Sequence, residues 1–457
     1  MKKLRFIAFF VTLTILCCSL SSLGAFAAYD VDFEVSSKGA YLVNTDTNTV
    51  VYEKNKDEKL YPASLTKIMT TLIALETISD LENTVITAPA YVYNEFAGLS
   101  VSNADIKQRE EVRAIDLLYA TMLPSACEAA SIVADYISGG SIPKFVEQMN
   151  QKAKELGAVN THFVNAHGLH DPEQYTTPYD MYLIVKHALT IPKFEEISTT
   201  VSYEMPATNK HASPRTIVHT NSMTSKVRGG PLYYYQYVKG IKTGTTPEAG
   251  SNLVSMASKD GYNYLLVTMG APLLDENGNK YNRTFSYLDA KNLYEWAFNT
   301  FKLKTIVQSG QTFGEMKIKL SSKQDFVTLK ANKDVNLLLP NNVDQTNLLF
   351  EKTLYENVNA PINAEQTLGT MDIKLKNETI ATIDLVASES VGRNPVLYAW
   401  DLIKRFFKSF WVKLISILLL IIIILYIVYA VLYNKKRRNK NKASKRYKSP
   451  YSNYHNR

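Results

Sequence analysis

The stretch Val238-Lys239-Gly240-Ile241-Lys242-Thr243-Gly244-Thr245-Thr246-Pro247-Glu248-Ala249-Gly250 begins with residues that predict a strand and then turns polar at its edge. An ammonium and a hydroxyl side by side, Lys242 and Thr243, can hold a carboxylate through charge-assisted hydrogen bonds. Gly244 after them lets the backbone come close to a bound molecule. A Lys-Thr-Gly alone is only a polar strand end. Its weight comes from two blocks upstream, Ser64-Leu65-Thr66-Lys67 and Pro124-Ser125-Ala126-Cys127, with 61 residues from Ser64 to Ser125 and 117 from Ser125 to Lys242.

Ordinary serine and lysine usage yields about one or two Ser-x-x-Lys matches in a chain this long, and Ser141-Ile142-Pro143-Lys144 is a second one. Pro143 falls where a following turn would need backbone donors, and the apolar periodicity is expected to stop there, so that match reads as accidental. Ser64 stands in a different context. Pro62 marks a helix start, and Leu65, Ile68, Met69, Leu72 and Leu75 recur at helical spacing, which predicts a helix with one buried face. Residues three apart share a face, so Lys67 can approach the Ser64 hydroxyl, and burial would lower its pKa until the neutral amine serves as a base. The plain alternative is an amphipathic helix with a surface lysine. The apolar run Ile115 to Leu123 predicts a buried helix ended by Pro124, with Ser125 on the loop after it.

Together the three blocks resemble the active site of the penicillin-binding serine D,D-peptidases and serine β-lactamases, in which a serine with its own lysine needs no catalytic histidine. The third block resembles the strand edge that flanks the cleft of D-alanyl-D-alanine carboxypeptidases in particular. The resemblance implies Ser64 as nucleophile, Lys67 as base and Ser125 as the hydroxyl that relays a proton to the leaving amine. It implies Lys242, Thr243, Gly244 and Thr245 as substrate-binding residues, with the backbone N–H groups of Ser64 and Thr245 as the oxyanion hole. The family's usual Asn in the second block is Cys127 here, a substrate-binding position at which a thiol cannot supply an amide's paired donor and acceptor. The implied fold is an α+β catalytic domain of the β-lactamase/transpeptidase type, an antiparallel sheet flanked by helices with a helical subdomain.

Asn165-Ala166-His167-Gly168-Leu169-His170-Asp171 and Tyr175-Thr176-Thr177-Pro178-Tyr179-Asp180-Met181 resemble a connecting segment of the carboxypeptidase branch. Neither histidine is assigned a catalytic role; a histidine in such a loop serves more often in local hydrogen bonds, and two without a third ligand make a poor zinc site. No metal and no organic cofactor are expected. Class A β-lactamases carry a Glu followed after two residues by Leu-Asn, and this interval has none. A penicilloyl ester is therefore expected to persist. The Tyr233-Tyr234-Tyr235-Gln236-Tyr237 run is read as ordinary aromatic enrichment of a strand and kept out of the site.

Residues 1–27 read as a secretory signal, with Lys2, Lys3 and Arg5, an apolar stretch from Phe6 to Cys18, and Ala25-Phe26-Ala27 before the cleavage point. Cleavage would leave Cys127 as the single cysteine and exclude an intramolecular disulfide, so stability must come from the core, for which 46% apolar content is ample. Residues 414–433 form a run of 20 broken only by Ser416, long enough to span a bilayer. The tail, 434–457, holds ten Lys or Arg and no acid, which predicts a cytoplasmic stub, disordered and held near anionic headgroups, with the rest of the chain outside the cell membrane. Of the net charge of +8, three positive charges belong to the leader and ten to the tail, leaving about −5 between them. The basic balance is thus a sign of topology and implies no nucleic acid. Residues 391–413, apolar, aromatic and basic by turns, suit a helix lying in the headgroup region.

From about 310 to 388 the pattern changes to period two, as in Met316-Lys317-Ile318-Lys319-Leu320 and Met371-Asp372-Ile373-Lys374-Leu375, which predicts a small antiparallel sheet domain over 306–390 after a catalytic domain over 28–305. It resembles the C-terminal β domain of the same family, a spacer by expectation. The reading is a low-molecular-mass penicillin-binding protein acting on peptidoglycan stem pentapeptides as a D-alanyl-D-alanine carboxypeptidase, with β-lactams as covalent inhibitors. A D,D-endopeptidase acting on cross-links and a catalytically silent wall-binding scaffold are the alternatives.

Overall fold

The computed structural model describes residue 29 and residues 31–321 and 324–446; the expected signal segment and the last residues of the tail lie outside them. The chain divides into two compact units. The first is built on a five-stranded sheet of β1 (Gly39–Asn44), β2 (Thr49–Lys54), β3 (Val238–Thr246), β4 (Gly250–Lys259) and β5 (Tyr262–Ala271), in the order β2-β1-β5-β4-β3. Every adjacent pair is antiparallel, with Leu42 opposite Leu266 and Thr243 opposite Leu253.

Period two explains why both faces are covered. Ala40, Leu42, Leu253, Ala257 and Leu266 point to one side and pack with Ala290, Leu293 and Ala297 of a C-terminal helix, Phe285–Thr300. Tyr41, Val43, Val254, Leu265 and Val267 point to the other, into a larger core shared with a helical region. That region contains α1 (Thr66–Thr77), α2 (Ala114–Met122), α3 (Cys127–Ile137), α4 (Ile142–Glu155), α5 (Pro178–Ala188) and α6 (Pro192–Thr199). The Phe285–Thr300 helix is α7. In α1 every residue from Thr66 to Ala74 is buried, so the helix crosses the interior and carries its polar residues with it. The surface-helix alternative for this segment does not hold.

Two local expectations are corrected. A helix does continue past Ser141: it caps α4, whose Phe145, Met149 and Ala153 are buried at a spacing of four. Pro143 is tolerated there because the first turn leaves its backbone donors free in any case. The tyrosine run is no strand, since Lys226–Tyr233 is helical and the chain turns before β3 begins at Val238. Tyr235 turns into the second core, and the Tyr233 hydroxyl oxygen accepts from the Thr284 N–H at 2.8 Å.

The second unit holds a five-stranded sheet of β6 (Thr312–Lys317), β7 (Phe326–Ala331), β8 (Leu349–Leu354), β9 (Thr367–Leu375) and β10 (Glu378–Ala387), ordered β6-β7-β10-β9-β8. The pairings of β6 with β7 and of β7 with β10 are antiparallel. Two helices follow, α8 (Pro395–Lys408) and α9 (Phe410–Arg446). Within α9, Phe410–Asn439 is long and apolar enough to cross a membrane. The helix runs on through the first part of the basic tail, where a disordered stub was expected, because Lys and Arg are good helix formers and no Pro or Gly interrupts them before Pro450.

Candidate active site

Ser64 lies in a single 3₁₀ turn, Ala63–Leu65, that runs directly into α1. Side chains three apart eclipse in such a turn, and Lys67 Nζ stands 3.0 Å from Ser64 Oγ. The turn is clamped to the sheet by Asn252 of β4, whose Nδ2 donates to the carbonyls of Tyr61 (2.9 Å) and Pro62 (3.1 Å) while its Oδ1 accepts from Gly270 N–H (2.8 Å). Two glycines press against the same turn. A Cβ on Gly244 would sit 2.8 Å from the Pro62 oxygen and 3.1 Å from the Ser64 nitrogen. A Cβ on Gly168 would sit 1.9 Å from the Ala63 oxygen, and Gly168 has φ +88° besides, so neither position admits a side chain.

Lys67 is fully buried. Its amine reaches three acceptors: Ser64 Oγ, the His167 backbone oxygen at 2.5 Å and Cys127 Sγ at 3.5 Å. A neutral amine has two hydrogens and one lone pair. With the hydrogens on His167 O and Cys127 Sγ, the lone pair faces the Ser64 hydroxyl, the orientation that proton abstraction requires. Burial lowers the Lys67 pKa, against the opposing pull of Cys127 and Glu128. Glu128, buried in α3, is itself pushed up by burial, although its Oε1 accepts from Ala104 N–H at 2.7 Å.

Ser125 follows α2 with φ +65°, a left-handed conformation held by Ala126 N–H donating to Ala120 O and Cys127 N–H to Ser102 O. Its side chain is buried, and its Oγ has no hydrogen-bond partner among the described residues. A buried hydroxyl without a protein partner is costly, and this one is left free to bond to another molecule. Lys242 on β3 is also fully buried, with Nζ donating to Thr243 O at 2.9 Å. Burial, and after it the nearby Lys67, hold its pKa well below the usual lysine range. Thr243 Oγ1 is 2.6 Å from Thr220 Oγ1, and Thr245 pairs with Ser251 along the strand edge.

Of the predicted residues, Lys67 thus contacts both Ser64 and Cys127, and Gly244 abuts the serine's backbone. Several partners carried no legible signal. Asn252 and Thr220 are polar residues like many others, and the His167 carbonyl is a backbone atom. The Asn165–His170 segment, flagged only by resemblance, turns out to support the site: Thr70 Oγ1 donates to Ala166 O (2.6 Å), and Asn165 Oδ1 accepts from Gly168 N–H (2.7 Å).

Comparison with known proteins places these residues in a wider setting. Residues 25–273 match the D-alanyl-D-alanine carboxypeptidase family, and residues 301–393 match the C-terminal domain of penicillin-binding protein 5. D-alanyl-D-alanine carboxypeptidase DacF of Bacillus subtilis is 30% identical over 358 residues, 78% of this chain and 86% of the relative. The Escherichia coli carboxypeptidase DacC is 28% identical over 381 residues, 82% and 89% of the two chains. Among solved structures, penicillin-binding protein 5 from Haemophilus influenzae superposes with a TM-score of 0.58 at 25% identity, over 80% of this chain and 100% of the other. The Streptomyces K15 DD-transpeptidase superposes with a TM-score of 0.52 at 27% identity, over 59% and 99%.

Proposed function

The chain belongs to the D-alanyl-D-alanine carboxypeptidase family, and from that premise we propose that it removes the terminal D-Ala from peptidoglycan stem pentapeptides through an acyl-enzyme on Ser64. The observation that carries the residue assignment is the fully buried Lys67 amine 3.0 Å from Ser64 Oγ. Lys67 takes the Ser64 proton as Oγ attacks the penultimate carbonyl carbon. The oxyanion that forms accepts from the backbone N–H groups of Ser64 and Thr245. When the C–N bond breaks, Ser125 passes the proton on to the departing amine. Water then attacks the ester, with the same amine as base, and frees the shortened stem.

Lys242 and Thr243 receive the terminal carboxylate. Lys242 is disfavoured as a buried cation beside Lys67, so an arriving carboxylate supplies the counter-charge that the pocket lacks. A β-lactam carries both a strained acyl group and a carboxylate, and follows the same path as far as the ester. Without the Glu that precedes Leu-Asn in class A β-lactamases, the penicilloyl ester is held.

In the same reading the exported catalytic region spans 28–305, and a single pass within α9 leaves it outside the cytoplasm with the basic tail inside. The test is intact mass after brief exposure to penicillin. A single stable adduct that is lost in Ser64→Ala is the expected result; drug consumed without an adduct would make the protein a β-lactamase, and drug left intact would make it a scaffold.

A further inference from the structure

We propose that Glu95 and the imidazole of His167 are positioning residues for Lys67, fixing the backbone carbonyl that aims the amine's lone pair at Ser64. The proposal rests on the reading of Ser64 and Lys67 as nucleophile and base. His167 meets Lys67 through its backbone: its carbonyl oxygen accepts from Nζ at 2.5 Å. Its ring is buried, and both nitrogens are committed. Nδ1 lies 3.1 Å from Leu169 N–H and accepts from it. An accepting Nδ1 puts the one proton of the neutral ring on Nε2, which faces Glu95 Oε2 at 3.2 Å.

Glu95 is held in turn by Ser131 Oγ, which donates to its other oxygen at 2.6 Å, and Phe96 packs edge-on against the imidazole. Asn165 Oδ1 accepts from the N–H groups of His167 and Gly168. With the ring tethered by Glu95 and the peptide by Asn165, the His167 carbonyl cannot turn away from the amine. The charged and titratable groups that face Lys67 are Cys127 and Glu128 of α3, Lys242 of β3 and His167 itself; those facing the His167 ring are Glu95 and Lys67. Burial lowers the His167 pKa against the pull of Glu95, in the direction of the neutral ring that an accepting Nδ1 requires.

The experiment follows acylation of the full chain in detergent by a fluorescent penicillin from pH 5 to 9, in the wild type and in Glu95→Ala, Glu95→Asp and Glu95→Gln. Gln keeps an acceptor for Nε2–H, whereas Ala removes it and Asp withdraws it. The saturating acylation rate of the Ala and Asp variants at pH 7 is expected to fall about tenfold or more, since small misplacements of a reacting group cost that much. Their acid limb moves to lower pH, because an ammonium that has lost an acceptor holds its proton less well. The Gln variant stays within about threefold of the wild type. Simple structural weakening would lower the melting temperature and leave the acid limb in place. Ala and Asp variants that acylate as the wild type does, or three variants slowed alike with an unmoved limb, overturn the proposal. A wild type that forms no adduct at Ser64 overturns instead the reading beneath it.

Discussion

Lys67 and Lys242 lie fully buried in one site, each lowered in pKa by burial, and Lys67 further depresses Lys242. Folding must therefore strip protons that the unfolded chain keeps up to the ordinary lysine range. Where the unfolded state binds more protons, stability rises with pH. Below the folded pKa both states are charged and the full cost of a buried cation applies. Lys67→Met removes that cost along with the amine. With Lys67 the base proposed above, the variant is expected to abolish acylation and to melt higher than the wild type at pH 6, by about 1 kcal/mol or more. The advantage should shrink as pH rises toward the lysine range; thermal melts at pH 6 and pH 9 check this, and a gap that stayed constant or widened would contradict it. The residues of this site were unequally legible. Ser64 and Lys67 could be read because their partnership is local, three residues along one turn. The His167 oxygen lies 100 residues from Lys67 and Asn252 lies 190 from the carbonyl of Pro62, and no local pattern announces a backbone acceptor at such a distance.

At the scale of elements, the site brings together a sheet edge, a turn and a loop, while the opposite face of the sheet packs against α7. There Asp289 of α7 ties down the segment leading into β1: its carboxylate accepts from Ser36 N–H (3.0 Å), Ser37 N–H (2.7 Å) and the Ser37 hydroxyl (2.6 Å). Asp289→Ala would strand these donors, an expected loss of roughly 2–4 kcal/mol. Denaturant melts should show that loss, while penicillin uptake per folded molecule at 25 °C stays as in the wild type. Uptake falling more than the folded fraction would mean that the two faces are coupled. The period-two pattern around β6 and β9 and the helical period of α1 could be read because burial on one or both faces imposes them. The tyrosine run misled because aromatic enrichment marks half-buried surface of any kind, and here that surface belongs to a helix end and a turn. The Ser141 helix was missed because Pro143 in a first turn looks like a break.

For the molecule as a whole, the two helices that close the second unit carry the features that bear on membrane attachment. In α8 the exposed Leu397, Trp400, Ile403 and Phe407 recur at helical spacing, with Lys404, Arg405 and Lys408 among them, the pattern of a helix that lies on a membrane. A chain ended after Lys408 should remain attached until washed with alkaline carbonate. One ended after Arg393 should partition into the aqueous phase with its penicillin uptake intact; a membrane-bound Arg393 truncation would place an attachment site elsewhere. The helix long and apolar enough to cross a membrane was legible because a 20-residue apolar run leaves few physical options. The length of α9 was not, since a charged tail looks the same whether coiled or helical. Its 37 residues extend about 55 Å at 1.5 Å each, against a hydrocarbon layer of about 30 Å. Such a helix need not unwind when the surrounding lipids change. Its apolar part is shorter, however: residues 414–433 reach about 30 Å at the same rise, and Lys435, Lys436, Arg437 and Arg438 follow at once, so as a membrane span it would meet a thicker or thinner bilayer with the mismatch of an ordinary 20-residue helix, the basic turns standing clear of the hydrocarbon.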